Sequence, residues 1–142
     1  MEFKLSNEKL RYISLFENLT DVTPKDVVEN EDNDRLTYVV DEEDMGKAIG
    51  EDGKNIQKVR NKLDKRVHVV QYSDNPEQFL RNIFSPIELE NIEINDSGEE
   101  LTAIIEVDES EKGRAVGKDG WNIDRVRRLL DRHHGMSDVS FA

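Results

Sequence analysis

The sequence predicts an α+β protein made of two small domains in tandem. Residues 46–63 read GKAIGEDGKNIQKVRNKL and residues 113–130 read GRAVGKDGWNIDRVRRLL, with ten identities in 18 ungapped positions. The match continues on both sides of these segments, so the repeated unit is about 67 residues long. Apolar residues around each copy recur at helix and strand spacing, which indicates a folded chain with small cores.

A helix is predicted at the start of each unit. In the first unit it covers residues 7–18, where Leu10, Ile13 and Phe16 stand at helical spacing. In the second unit an Asn-Pro pair opens a shorter helix over residues 76–83, because asparagine suits the cap and proline the first helical position. Two strands joined by an acidic turn follow. In the first unit the strands are residues 26–29 and 36–40, with the turn at 30–34. In the second unit the strands are residues 92–94 and 101–107, with the turn at 95–100.

The repeated segment is predicted to fold as a short helix, a loop and a longer helix. A closing strand follows it in each unit, over residues 67–72 and 139–141. The stretch Ser73-Asp74-Asn75-Pro76 is rich in turn-forming residues, so the boundary is expected there. The predicted domains are therefore residues 1–74 and 75–142.

The charge is distributed unevenly along the chain. The net charge of −12 argues on its own against a nucleic-acid partner, because phosphate binding normally needs a basic surface. Residues 46–66 and 112–132, however, each contain seven Lys or Arg against three acids, so each window is at +4. The rest of the chain holds 6 basic and 26 acidic residues. The basic windows coincide with the repeated segments.

The sequence disfavours several other functions. There is no cysteine, which excludes disulfides and thiolate chemistry. The first residues lack a signal peptide, and no stretch approaches the roughly 20 apolar residues of a membrane span, so we expect a cytoplasmic protein with no membrane partner. The glycine clusters do not fit the nucleotide-hydrolase pattern, and the three histidines lack metal-ligand spacing. We therefore expect no enzyme, no cofactor and no bound metal.

The stretches IGEDGKNI (49–56) and VGKDGWNI (116–123) resemble the Ile-Gly-x-x-Gly-x-x-Ile motif of the K-homology (KH) domain. The order of elements is similar to the type II arrangement, and the pair of units resembles the archaeal NusA-like transcription factors. The resemblance implies two tandem type II KH domains, each a three-stranded sheet with helices packed on one face. It also implies that the chain binds single-stranded RNA in transcription termination or antitermination, with RNA polymerase or other transcription proteins as further partners. We expect a monomer.

The chemistry of the loops agrees with this resemblance. Glycines allow a close backbone approach, and the N–H groups at the start of the next helix favour a phosphate. A KH loop clamps a few nucleotides of single-stranded backbone. Asp52 and Asp119 are expected to act as helix caps. The residues predicted to bind RNA are Lys47, Gly50, Glu51, Asp52, Gly53, Lys54, Ile56 and Lys58 in the first unit, and Arg114, Gly117, Lys118, Asp119, Gly120, Trp121, Ile123, Arg125 and Arg128 in the second.

The two loops differ in charge. Glu51 in the first loop opposes a phosphate and Lys118 in the second favours it, so we expect the second domain to dominate the affinity. Trp121, the only tryptophan, is placed either to stack on a base or to pack against the other domain or a partner. Two other functions stay open: a protein-interaction module that has lost RNA affinity, and a metal-dependent nuclease using the acidic run at residues 41–44.

Overall fold

The structure is a computed structural model and describes residues 6–30 and 34–142 of the 142-residue chain. The chain divides into two compact units, the first ending at Tyr72 and the second beginning at Ser73. This division lies at the start of the turn-rich stretch in which the sequence analysis places the boundary.

Both units contain the same elements in the same order. The first unit consists of α1 (Asn7–Thr20), β1 (Asp26–Glu29), β2 (Arg35–Val40), α2 (Met45–Ile49), α3 (Lys54–Leu63) and β3 (Arg66–Gln71). The second consists of α4 (Pro76–Phe84), β4 (Asn91–Asp96), β5 (Leu101–Glu106), α5 (Lys112–Val116), α6 (Trp121–His134) and β6 (Met136–Phe141). A single 3₁₀ turn precedes each short helix, and another forms each loop.

Each unit has a three-stranded sheet, ordered β1-β2-β3 in the first and β4-β5-β6 in the second. The first two strands pair antiparallel, and the last strand pairs parallel to the middle one. A parallel pair needs a crossover connection. The short helix, the loop and the long helix provide that crossover, so the repeated segment lies between the two parallel strands in both units.

The leading helices begin at side-chain caps. Ser6 accepts a hydrogen bond from the Lys9 backbone N–H at 3.0 Å, and Asn75 accepts one from the Gln78 backbone N–H at 3.0 Å. Pro76 occupies the first position of α4, where its missing N–H costs no intrahelical bond. The predicted cap at Asn75 is thus present in the structure.

The core of the first unit joins α1, α2 and α3 to the sheet. Phe16 stacks on Tyr38 with ring centroids 4.1 Å apart, and Val59 is buried in the same cluster. The Tyr38 hydroxyl donates to the Tyr12 carbonyl at 2.9 Å, and burial raises the pKa of Tyr38 well above its ordinary value. A neutral hydroxyl with a hydrogen-bond partner is compatible with a buried position.

The core of the second unit depends more on its leading helix. Four of the nine residues of α4 are buried, namely Phe79, Leu80, Ile83 and Phe84. Helix α4 packs against α6, whose Val126, Leu129 and Leu130 are fully buried. Six residues of α6 are buried, against two in α3, namely Ile56 and Val59.

Several element boundaries differ from the sequence predictions. Strands β4 and β6 are longer than predicted, because ladder pairing by the backbone continues through polar residues such as Asn91 and Asp138. Leu10, predicted on the helical stripe of α1, is 45% exposed, whereas Tyr12 and Phe16 face the core. The middle of the predicted turn at residues 30–34 lies outside the described residues.

Candidate nucleic-acid interface

The two loops have the same backbone conformation. In the first, φ is +80° at Gly50, +56° at Asp52 and +74° at Gly53. In the second loop the corresponding angles are +82° at Gly117, +57° at Asp119 and +76° at Gly120. Each loop is closed by a hydrogen bond from the second glycine to the first, 3.1 Å from the Gly53 N–H to the Gly50 carbonyl and 2.9 Å for the second pair. Three residues in each loop are thus in conformations that favour glycine, asparagine or aspartate.

The two glycines of each loop are required for different reasons. A Cβ on Gly50 would lie 2.8 Å from the backbone nitrogen of Asn55, and one on Gly117 would lie 2.9 Å from that of Asn122. A Cβ on Gly53 would approach only the Ile56 side chain, at 3.8 Å. The first glycine therefore allows the loop to pack on its own following helix, whereas the second is required by its positive φ alone.

The expectation that Asp52 and Asp119 cap the long helices is wrong. Gly53 and Gly120 stand at the cap positions of α3 and α6. Both aspartates lie one residue earlier, at positive φ, and are exposed. Aspartate is among the few residues that tolerate this conformation, which explains its presence in both loops.

An asparagine in each unit ties the loop together, and the sequence analysis missed this role. The Asn55 Nδ2 donates to the Lys47 carbonyl at 2.7 Å, and the Asn122 Nδ2 donates to the Ala115 carbonyl at 2.8 Å. These carbonyls belong to the last turn of the short helices, where backbone acceptors lack intrahelical partners. Both copies of the repeat have asparagine at this position, and that identity was the signal that could have indicated the role.

In the first unit, several cations of the basic window bind within the protein. Lys47 pairs with Asp21 at 3.2 Å, and Lys65 pairs with Glu29 at 3.2 Å. Arg60 donates to the Val67 carbonyl through Nε and Nη2, at 3.1 and 2.9 Å. The lysines at positions 54, 58 and 62 are all exposed.

In the second unit, Arg125, one of the residues predicted to bind RNA, lies inside the protein. Its side chain is buried, with the residue 5% exposed. The Nη2 atom donates to the Asn122 Oδ1 at 2.6 Å and to the Ile83 carbonyl at 3.1 Å. Burial follows from the packing of α4 on α6, and it places the guanidinium inside the protein rather than on a nucleic-acid surface.

The other predicted cations of the second unit lie at the surface. Arg114 pairs with Glu111 at 2.8 Å, and Arg128 lies 3.9 Å from Asp124. Lys118 is exposed within the loop itself. The second loop thus presents a cation where the first presents the exposed carboxylate of Glu51.

Trp121 lies against its own loop. A Cβ on Gly117 would come within 2.6 Å of the Trp121 Nε1 atom, so the indole is packed beside that glycine. The Arg125 guanidinium carbon is 5.0 Å from the centroid of the ring, within the range of a cation–π contact. The residue as a whole remains partly exposed. It is therefore held in place at the loop with one portion open to solvent.

The motif isoleucines lie beneath the loops. Ile56 and Ile123 are 6% and 7% exposed, so most of each side chain belongs to the core. Ile49, which precedes Gly50, is 37% exposed and was not among the predicted binding residues. An apolar residue before the first glycine of both loops was the signal that could have indicated it.

The histidines at the end of α6 lie beside residues at the start of the second unit. The His134 Nε2 lies 2.9 Å from the Ser73 carbonyl, and Phe79 contacts the rings of both His133 and His134. Over residues 6–30 and 34–142, no group of three or more His, Cys, Asp or Glu is arranged to hold a metal ion. In the same part of the chain, no helix has both the length and the apolar character needed to cross a membrane.

Comparison with known proteins agrees with this geometry. Residues 10–98 match the KH domain family, and residues 76–133 match the NusA-like second KH domain. The sheet order and the paired loops define a protein with two tandem type II KH domains, as predicted. The chain belongs to the NusA-like family of these proteins.

Relatives and a solved structure match over nearly the whole chain. The chain is 36% identical to the "Probable transcription termination protein NusA" of Halococcus morrhuae, with 100% of both chains covered. It is 34% identical to the protein of the same name from Methanococcus vannielii, covering 98% of this chain and 79% of that protein. The crystal structure of APE1850 has a TM-score of 0.80 and 36% identity, covering 97% of this chain and 100% of the other.

Proposed function

We propose that this chain binds single-stranded RNA through its two loops and acts on nascent transcripts in transcription termination or antitermination. The observation that most directly supports RNA binding is the duplicated loop, held in one conformation ahead of a helix start in both units. The transcription role is supported by the names of the archaeal relatives, which are described as probable transcription termination proteins.

The proposed contacts combine backbone and side chains. The glycine loops and the first N–H groups of α3 and α6 receive phosphates, since a helix start favours negative charge. Lys118 adds a positive charge to the second loop. Lys47 and Arg114 are in exposed ion pairs, which are weak, so a phosphate can replace their carboxylate partners. Trp121 offers its exposed portion to a base.

Arg125 has a supporting role in this proposal. Its buried guanidinium contacts both Asn122 and the indole of Trp121, and it thereby fixes the ring beside the loop. We further propose that residues 1–74 and 75–142 act as two RNA-binding domains of a cytoplasmic monomer without catalytic activity or cofactor. RNA polymerase or another transcription protein is the proposed protein partner.

The proposal is tested by titrating the full chain with labelled RNA of one length, as a single strand and as a duplex, over a series of salt concentrations. Single strands should bind more tightly, and the logarithm of affinity should fall with the logarithm of salt by about 0.7 per phosphate contacted. Equal affinity for both forms, or no binding at low salt, would overturn the proposal and favour a protein-interaction module.

A further inference from the structure

Deepening the RNA-binding function proposed above, on which it rests, we propose that α3 holds the RNA backbone beyond the loop of the first unit. The contact surface is the lysine stripe, defined as Lys54, Lys58 and Lys62. The equivalent positions of the second unit are Trp121, Arg125 and Leu129, so the two units present different surfaces to RNA.

The lysine stripe has the geometry of a phosphate track. Its residues are spaced at four-residue intervals, which places them on one side of α3 and about 6 Å apart along the axis. That interval is comparable to the distance between consecutive phosphates of a nucleotide chain. All three side chains are exposed, and Lys54 directly follows Gly53, so the stripe begins at the loop and continues away from it.

The charge of the stripe is not balanced on its own helix. Helix α3 has the sequence KNIQKVRNKL and contains no acidic residue. Lysines four residues apart repel one another and destabilise an isolated helix. Within residues 6–30 and 34–142 the structure shows no ion pair to these three lysines, whereas neighbouring Lys65 is paired with Glu29. An exposed, uncompensated row of cations complements a polyanion.

Helix α6 cannot present the same surface. Arg125 is 5% exposed, and Leu129 is fully buried. Trp121 packs beside Gly117 at the position equivalent to Lys54. The face that is basic and open in α3 is therefore aromatic at its start and buried beyond it in α6, where Arg125 donates to the Ile83 carbonyl of α4.

Because of this difference, the first unit should contribute mainly electrostatic binding energy, and the second should contribute base stacking as well. Lysine contacts to phosphates release counterions, so the contribution of the first unit should depend strongly on salt. A base stacked on Trp121 releases few counterions, so the contribution of the second unit should depend on salt only through Lys118 and Arg114. The lysine stripe also offsets the unfavourable charge of Glu51 in the first loop.

The experiment measures binding of the full chain to single-stranded oligouridine at several salt concentrations. In the variant Lys58→Gln/Lys62→Gln, the log–log salt slope should decrease in magnitude by about 1.4, because two phosphate contacts are lost. Between about 50 and 200 mM salt, the affinity ratio of wild type to variant should therefore shrink about sevenfold. The variant Lys58→Arg/Lys62→Arg should keep the wild-type slope.

The matched control is Arg11→Gln/Lys25→Gln, which removes two charges from exposed side chains of the first unit outside α3. Its slope should stay close to that of the wild type. The proposed role of the lysine stripe is overturned if the salt slope of the Lys58→Gln/Lys62→Gln variant is unchanged, or if the slope of the control decreases equally. Either result counts against the stripe even when the wild type binds single strands well. Absence of wild-type binding at low salt instead overturns the RNA-binding function itself.

Discussion

The two units share a loop backbone but differ on the helix that follows it. Corresponding φ angles differ by only a few degrees, +80° against +82° at the first glycine and +74° against +76° at the second. The next helix begins with Lys54 in one unit and with Trp121 in the other. Position 58 is an exposed lysine, whereas the equivalent Arg125 is 5% exposed. The loop conformation is therefore compatible with very different neighbouring surfaces.

The reason lies in which contacts fix the loop. The first glycine packs on the following helix, and an asparagine side chain ties that helix to the short one before the loop. These contacts involve only residues within the loop and its two helices. The outer face of the long helix, by contrast, depends on what packs against it. Thus the same loop conformation can be combined with a basic face or with an aromatic one.

The largest effect is expected from the first glycine of either loop. Gly50→Ala and Gly117→Ala should each lower the free energy of unfolding by about 3 kcal/mol, because a strained φ is combined with a clash against backbone. Gly53→Ala and Gly120→Ala should cost about 1 kcal/mol, since only the positive φ is unfavourable. Urea unfolding of the full chain measures both pairs. Equal losses at the first and second glycines would show that packing on the next helix is not what requires the first one.

A smaller effect, on affinity, is expected from Trp121. Trp121→Ala should weaken single-stranded RNA binding by roughly 1–3 kcal/mol, because a base loses its stacking partner. Trp121→Phe should retain much of the affinity, and Lys54→Ala at the equivalent position should lose less. RNA should also change the fluorescence of this tryptophan. If Trp121→Ala lowers the melting temperature and leaves affinity intact, the ring serves only to pack the loop.

The smallest effect is expected from the charges of the loops. Lys118→Glu should weaken binding about two- to fivefold at low salt, and Glu51→Lys should strengthen it by a similar factor, because exposed charge interactions are modest. Both side chains are exposed, so stability should stay unchanged. The measurement is a titration with single-stranded RNA at low and high salt. If Glu51→Lys leaves affinity unchanged, the first loop does not contact a phosphate, and its acidic residues would suit a basic protein partner better.

The fold was largely predictable because its signals are local and occur twice. Each signal acts within a few positions, as the glycine spacing, the alternating strand residues and the Asn-Pro cap do. Because the unit is repeated, the pattern in one copy also supports the interpretation of the same pattern in the other. Strand ends were less predictable because polar residues such as Asn91 pair through their backbone.

The side-chain surroundings of the candidate site were less predictable because they depend on distant residues. Arg125 was predicted to bind RNA, but its side chain is buried and its Nη2 donates to the carbonyl of Ile83, 42 positions earlier. The charge of a sequence window likewise counts cations without showing their partners. Lys65 belongs to the basic window but is paired with Glu29, far outside it. Periodicity identifies the face of a helix, but not which neighbouring element covers that face.

The parallel pairing of the last strand with the middle strand affects how the chain folds during synthesis. In the first unit, β2 pairs with β3 only after the intervening helices and loop have been made, since β3 covers Arg66–Gln71. Until β3 leaves the ribosome, one edge of β2 lacks its native partner and can pair with another chain. Arg60 then joins α3 to β3 through the Val67 carbonyl once that strand arrives. The loop at Gly50–Gly53 therefore becomes part of a complete domain only when β3 has joined the sheet.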